Sequence, residues 1–205
     1  MRHPIRFLAS LSALVVVAAC GGTTVPTTPV DPDRLSLREI KRVESEIRPG
    51  YDAARVTPKA QVPVSGQATY AGYVAGDMSL PTGNTDVAGV MVMGVDFTNN
   101  RVGGTVGNFV TSRNEEMDGT LSLRNGVLDR RLNSSQVTIR SDVDGRLVDE
   151  SGDTYVLDGA ITRGGFKGSS GQYVGVPMTG SVVTDAGVSR GTQRGTFGLT
   201  GILER

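Results

Sequence analysis

The sequence predicts an all-β protein: an eight-stranded antiparallel up-and-down β-barrel, preceded by one short helix and a flexible tether. Three observations predict it. From about residue 64 onward, apolar and polar side chains alternate with a period of two, the spacing that puts one face of a strand in a core and the other in water. Pairs such as Gly83-Asn84, Asn99-Asn100, Asn125-Gly126, Asp144-Gly145, Ser151-Gly152, Arg163-Gly164-Gly165 and Asp185-Ala186-Gly187 punctuate the runs with residues that tolerate the positive φ of tight turns. The 28 glycines are dispersed among Val, Thr and Leu instead of forming a tract, which reads as strands and turns and not as disorder.

The chain opens with Arg2, His3 and Arg6, an apolar run from Phe7 to Ala19, and then Cys20-Gly21-Gly22. The run is shorter than the roughly 20 apolar residues that cross a bilayer and suits the core of a secretory signal. Val17-Ala18-Ala19-Cys20 resembles the lipobox of bacterial lipoprotein signals, with Val in the first position where Leu is commoner. The resemblance implies that residues 1–19 are a signal peptide removed before Cys20. It also implies that Cys20, the lipid attachment site, carries acyl chains that tether the protein to a membrane outside the cytoplasm. Gly21 after the cysteine, in place of Asp, is compatible with export to the outer membrane. An unpaired thiol in an oxidising compartment would otherwise be a liability.

Residues 20–35 form the lipidated tether. Pro26, Pro29 and Pro32 among threonines favour an extended chain of about 3.1 Å per residue. Residues 36–63 are a short helix and a connector. The helix is expected over 36–48: Ser36 and Glu39 make a capping box, Leu37, Ile40, Val43 and Ile47 share one face, and Glu44 and Arg48 are spaced for an i,i+4 ion pair. Pro49-Gly50 is expected to stop it. The single apolar stripe suggests a helix docked on the domain.

Residues 64–205 are the barrel domain. Strands are expected near 65–75, 86–97, 101–110, 117–124, 127–132, 135–143, 153–162, 172–184 and 193–204, eight or nine in all. Such a series suits an up-and-down barrel or a sandwich. Gly103, Gly104, Gly107, Gly159, Gly198 and Gly201, inside strands, favour the barrel, because a small closed sheet needs sharp bends and close backbone approaches. With five Tyr, no Trp and Leu203-Glu204-Arg205 at the C-terminus, the strands lack the aromatic girdles of a membrane-spanning barrel.

Cleavage before Cys20 removes Arg2, Arg6 and the only histidine, His3, and takes the balanced 21 basic and 21 acidic residues to a net charge of −2. Without histidine there is no Ser-His-Asp triad and no Cys-His pair. Zinc would be left with carboxylates alone. The chain is therefore expected to be no enzyme, to hold no metal and no cofactor, and, with no basic excess, to bind no nucleic acid.

In the strand region, Val95-Asp96-Phe97 followed by Val102-Gly103-Gly104-Thr105-Val106-Gly107-Asn108-Phe109 resembles the barrel domain of transferrin-binding protein B-like surface lipoproteins. Gly165-Phe166-Lys167-Gly168 with Val176-Pro177-Met178-Thr179-Gly180, and Gly195-Thr196-Phe197-Gly198, are similar to later segments of that family. The resemblance covers residues 64–205. It implies an eight-stranded barrel on a lipid anchor, displayed at the outer membrane and binding a protein or small ligand, in iron or nutrient acquisition. Full-length members have two lobes, each with a handle domain; this chain has one barrel and one helix. No ligand-binding residue carries over, and a periplasm-facing structural or protease-inhibitor lipoprotein is the alternative.

Four local patterns bear on a site. Asp142-Val143-Asp144-Gly145 looks like the start of a calcium loop, but Gly145 falls two positions early and the closing position is Asp153, not Glu; a hairpin turn is the expectation. Asn114-Glu115-Glu116 with Asp118 reads as an exposed acidic loop without a convergent catalytic partner. Asp129-Arg130-Arg131 reads as a charged strand edge. Tyr70 and Tyr73, three apart on a strand, are expected on opposite faces, with one of them in the core.

Overall fold

The computed structural model describes residues 35–131, 134–185 and 191–205. Cys20, the signal segment and all but the last residue of the tether lie outside these residues. The described chain is one helix, α1 (Leu37–Ala53), a 3-10 turn (Lys59–Gln61) and eight strands: β1 (Gln67–Leu80), β2 (Gly83–Asp96), β3 (Arg101–Thr111), β4 (Glu116–Asp129), β5 (Thr138–Asp149), β6 (Thr154–Lys167), β7 (Tyr173–Asp185) and β8 (Thr192–Glu204). Each strand pairs antiparallel with the next, and β8 returns to β1 through the register Ala71↔Glu204 to Ser79↔Thr196. The result is a closed up-and-down barrel with no free sheet edge, so no strand is left as a template for aggregation.

Alternation decides what fills it. Tyr70, Val74 and Met78 of β1, Met91 and Met93 of β2, Leu121 of β4 and Met178 of β7 are buried in one apolar cluster inside the barrel. An eight-stranded barrel has an interior just wide enough to be packed by its own side chains, and burying each of these is worth about 1.5–3 kcal/mol. The outward positions are polar: Thr120, Ser122 and Arg124 on β4, and Asp142 and Asp144 on β5, are exposed or half-buried. Apolar inside and polar outside is the reverse of a membrane-spanning barrel with a polar lumen.

Two expected strands, 117–124 and 127–132, are one. β4 passes through Asn125-Gly126 without turning back, because these residues form a bulge: the register against β5 shifts between Arg124 and Val127, and Asn125 takes φ 51°. Asp144-Gly145 and Arg163-Gly164-Gly165 are likewise strand interior, within β5 and β6. Turn-forming residues signal left-handed or crowded backbone, which a bulge needs as much as a hairpin does. By contrast, Asn99-Asn100 and Ser151-Gly152 do turn, and Leu80 pairs directly with Gly83 across a two-residue loop. Asp185-Ala186-Gly187 runs into residues outside the described ones.

The helix also departs from expectation. Its capping box forms as predicted, with Ser36 and Glu39 satisfying one another's backbone amides, and Glu44 pairs with Arg48. Pro49-Gly50 does not stop it; α1 continues to Ala53 with Pro49 inside. Proline removes the amide that would bond to the Ser45 carbonyl, yet Tyr51 extends the apolar stripe by one more turn. Tertiary contacts hold that turn: Lys167 Nζ donates to the Tyr51 carbonyl at 3.0 Å and lies 4.1 Å from the centre of the Tyr51 ring. The stripe packs on the outside of the barrel, where Ile40 meets Tyr73, Val110 and Ile202.

Because every turn reverses the chain, alternate turns share an end. The α1 N-terminus meets the β3–β4 turn, where the Leu37 amide donates to Asn114 Oδ1 at 3.0 Å. The helix then runs down the wall, and residues 54–66 cross the opposite end as a strap. Thr57 N donates to Phe166 O and Lys59 N to Ser135 O, both at 3.0 Å, while Val62 is buried in the barrel core. Phe97 N then donates to Gly66 O at 2.9 Å, bringing the strap to β1.

Candidate ligand groove

Three bulges lie on neighbouring strands near the strap end. Besides the one in β4, the β5–β6 register shifts between Ile139 and Ser141, and the β6–β7 register between Ile161 and Gly165. A bulge kinks its strand and re-aims side chains. Here the kinked stretch of wall carries two adjoining hollows. The larger, of about 390 Å³, is lined by Asn125, Arg140, Ser141, Asp142, Ala160, Ile161 and Thr162. The smaller, of about 170 Å³, is lined by Asp129, Arg131, Ser134, Thr138 and Arg163, with Arg140 and Thr162 shared between the two.

The β4–β5 and β5–β6 registers explain why these residues meet. Asp129 pairs with Thr138 and Asp142 with Ala160, so the outward residues of three strands stand side by side. Asp129 is the fixed point. Its side chain is only 16% exposed and accepts from Arg131 Nε at 3.0 Å and from the Arg131 amide at 3.2 Å, with Arg140 Nη2 at 3.5 Å. Arg163 makes no ion pair among the described residues. In the larger hollow, Asn125 Nδ2 donates to Asp142 Oδ2 at 2.8 Å; outside its lining, the half-exposed Asp144 pairs with Arg124 at 2.9 Å. Exposed pairs of this kind add at most about 1 kcal/mol each to stability; what they do here is hold charged groups in place.

The residues singled out in the sequence separate. Asp129 and Arg131 join the groove, and with the barrel closed they are not a sheet edge. Arg130 turns elsewhere: it donates to Asn100 Oδ1 at 2.7 Å and to the Pro63 carbonyl, tying the strap to two turns, and burial pushes its guanidinium pKa down. Asp142-Val143-Asp144-Gly145 is neither a calcium loop nor a hairpin turn but the middle of β5; among the described residues no three acidic side chains gather to hold a metal. Asn114 anchors the start of α1, and Glu115 caps the β3–β4 turn, where Thr111 N donates to its carbonyl at 2.8 Å. Tyr70 and Tyr73 do face opposite sides, but both are buried, one in the barrel and one beneath α1. Arg140, Thr162 and Arg163 are not site candidates in the sequence, because the β4–β5 register brings Arg140 to Asp129 and only the β5–β6 register adds Thr162 and Arg163.

The charges on the barrel are unevenly distributed. The end where α1 begins carries Asp86, Glu115, Glu116, Asp149, Glu150 and Asp153, whereas Arg101, Arg130, Arg131, Arg140, Arg163 and Lys167 lie toward the strap end. The groove thus sits in the basic half of a chain with almost no net charge.

Compared with known proteins, the chain matches no protein-family model, and no curated protein matches it.

Proposed function

We propose that this chain is a lipid-anchored binding protein of the outer membrane, held through Cys20, whose barrel is a rigid scaffold that presents a recognition surface on its outer wall. The observation that carries this reading is the packing of the barrel. Its interior is filled by side chains such as Tyr70, Met91, Met93 and Leu121, so a ligand is met outside, where the bulged wall of β4, β5 and β6 offers a groove. The residues forming it are charged and hydroxylated, and none is a histidine or a thiol, which supports contact and not catalysis. The resemblance to transferrin-binding protein B-like lipoproteins supports a role in acquiring iron or another nutrient.

The test is made on cells. Labelled acyl chains should appear on the protein and vanish in Cys20→Ala. External protease should then cleave the barrel on intact cells, and the protein should capture a ligand from candidate iron carriers. Full protection from external protease would instead favour a periplasm-facing structural or inhibitor protein, and loss of the acyl label from the unmodified chain would overturn the anchor.

A further inference from the structure

We propose that the groove on β4, β5 and β6 binds a small polyhydroxylated acid, such as an acidic monosaccharide, with its oxyanion held by Arg163 and Arg140. This rests on the reading of the protein as a binding module and names the chemistry of its site. The smaller hollow brings three guanidinium groups, those of Arg131, Arg140 and Arg163, around a single carboxylate, Asp129. Asp129 engages one nitrogen of Arg140 and one side-chain nitrogen of Arg131. The remaining guanidinium N–H groups of both residues, and all of those of Arg163, make no bond among the described residues. A guanidinium offers five N–H donors in a rigid fork that matches carboxylate, sulfate or phosphate. Thr138 and Thr162 add hydroxyl donors beside them.

The larger hollow gives the rest of the ligand its chemistry. Asp142 accepts hydrogen bonds, the Asn125 amide both donates and accepts, and the half-buried Ala160 supplies a small apolar contact for ring carbons. Arg140 and Thr162 line both hollows, so one molecule can place an acid group in the smaller and hydroxyl groups in the larger. The basic half of the barrel concentrates anions around the site, and salt weakens that attraction.

The experiment titrates the full-length protein, purified in an uncharged detergent, with glucuronate, glucose 6-phosphate, glucose and inorganic phosphate, following the amide resonances of Thr138, Thr162 and Arg163. Glucuronate or glucose 6-phosphate is expected to shift them and glucose to leave them unmoved, with affinity falling as salt is raised. Losing one charge-assisted contact in Arg163→Gln should weaken binding about tenfold or more. Arg163 makes no ion pair, so this variant should melt like the unaltered protein, and Arg194→Gln, at the other end of the barrel, should bind normally. Inorganic phosphate binding as tightly as the sugar acids would support the oxyanion site and overturn the saccharide. Glucose binding equally well, or affinity unchanged in Arg163→Gln, would overturn the oxyanion site. If no acidic probe binds while intact cells still capture a protein, the groove assignment fails and the binding-module reading stands; if cells capture nothing either, both fail.

Discussion

Tyr51 and Tyr173 lock the helix to the barrel by each covering a glycine of the other's element. Their rings meet edge to face, perpendicular and 6.4 Å apart. The Tyr51 hydroxyl stands over Gly175 of β7, where a methyl group would lie 2.2 Å from it, and the Tyr173 hydroxyl stands over Gly50 of α1, where the distance would be 2.3 Å. Burial pushes the pKa of both phenols up, with the neighbouring acids Asp52 and Glu204 adding to it. The lock explains how a helix continues past Pro49.

Gly175→Ala should therefore displace the Tyr51 ring and free the last turn of α1. Overpacking of this kind costs about 1–3 kcal/mol. Hydrogen exchange should show faster opening at residues 51–53 with the barrel amides unchanged, and adding Tyr51→Phe, which removes the obstructing hydroxyl, should recover part of the loss. Equal loosening of the barrel strands would contradict the lock.

The barrel glycines should not behave alike. A methyl group on Gly76 would lie 1.9 Å from the Gly198 carbonyl, which is backbone and cannot rotate away, whereas at Gly198 itself the space is open. Gly76→Ala should cost about 3 kcal/mol, the upper end of what overpacking costs, and Gly198→Ala should stay within about 0.5 kcal/mol of the parent. Thermal unfolding of the pair decides this, and similar melting of the two variants would refute it.

Alkaline stability should report on Tyr70. Its hydroxyl donates to the Gly171 carbonyl at 2.7 Å, and burial, opposed by Arg205, pushes its pKa up to about 12. The raised value means the folded state keeps a proton that the unfolded chain loses near pH 10. Its contribution is fully present below pH 10 and is lost as the pH climbs toward 12. Tyr70→Phe should be less stable than the parent near neutrality by about 1 kcal/mol, from the lost hydrogen bond, and the difference should shrink as the solution is made alkaline.

At the acid end, Asp96 should matter. It is buried at the β2–β3 turn and accepts from the Asn99 amide at 2.9 Å and from Asn99 Nδ2 at 2.8 Å, and these bonds hold its pKa below the usual carboxylate value of 3.8. A lowered value contributes stability above 3.8 that is lost as the pH falls through the folded-state value. Asp96→Asn should be destabilised at neutral pH, and denaturant unfolding should show its gap to the parent closing in strong acid. A gap that widens in acid would reverse the assignment.

Much of this protein is written locally. Period-two alternation from residue 64 makes the chain all-β, because each strand must bury one face, and the glycines inside the strands favour closing those faces into a barrel over a sandwich. The capping box at Ser36 and Glu39 and the stripe from Leu37 to Ile47 place the start of α1 and its docking face, since both depend on neighbours a turn apart. Other features depend on what lies across the sheet. Asn125-Gly126 is a turn signal by composition and a bulge in fact, because pairing of β4 with both β3 and β5 outweighs the local preference to reverse. Pro49 is a stop signal overridden by Tyr173 and Lys167, residues more than a hundred positions away. Arg140 and Arg163 become one site with Asp129 only through register, a long-range quantity that no stretch of sequence contains. The sequence by itself determined the all-β class, the start and docking face of the helix and which faces turn inward, all set by neighbours along the chain. The tertiary structure decided where β4 and α1 continue and which charges stand together on the wall, because those depend on pairing across the sheet.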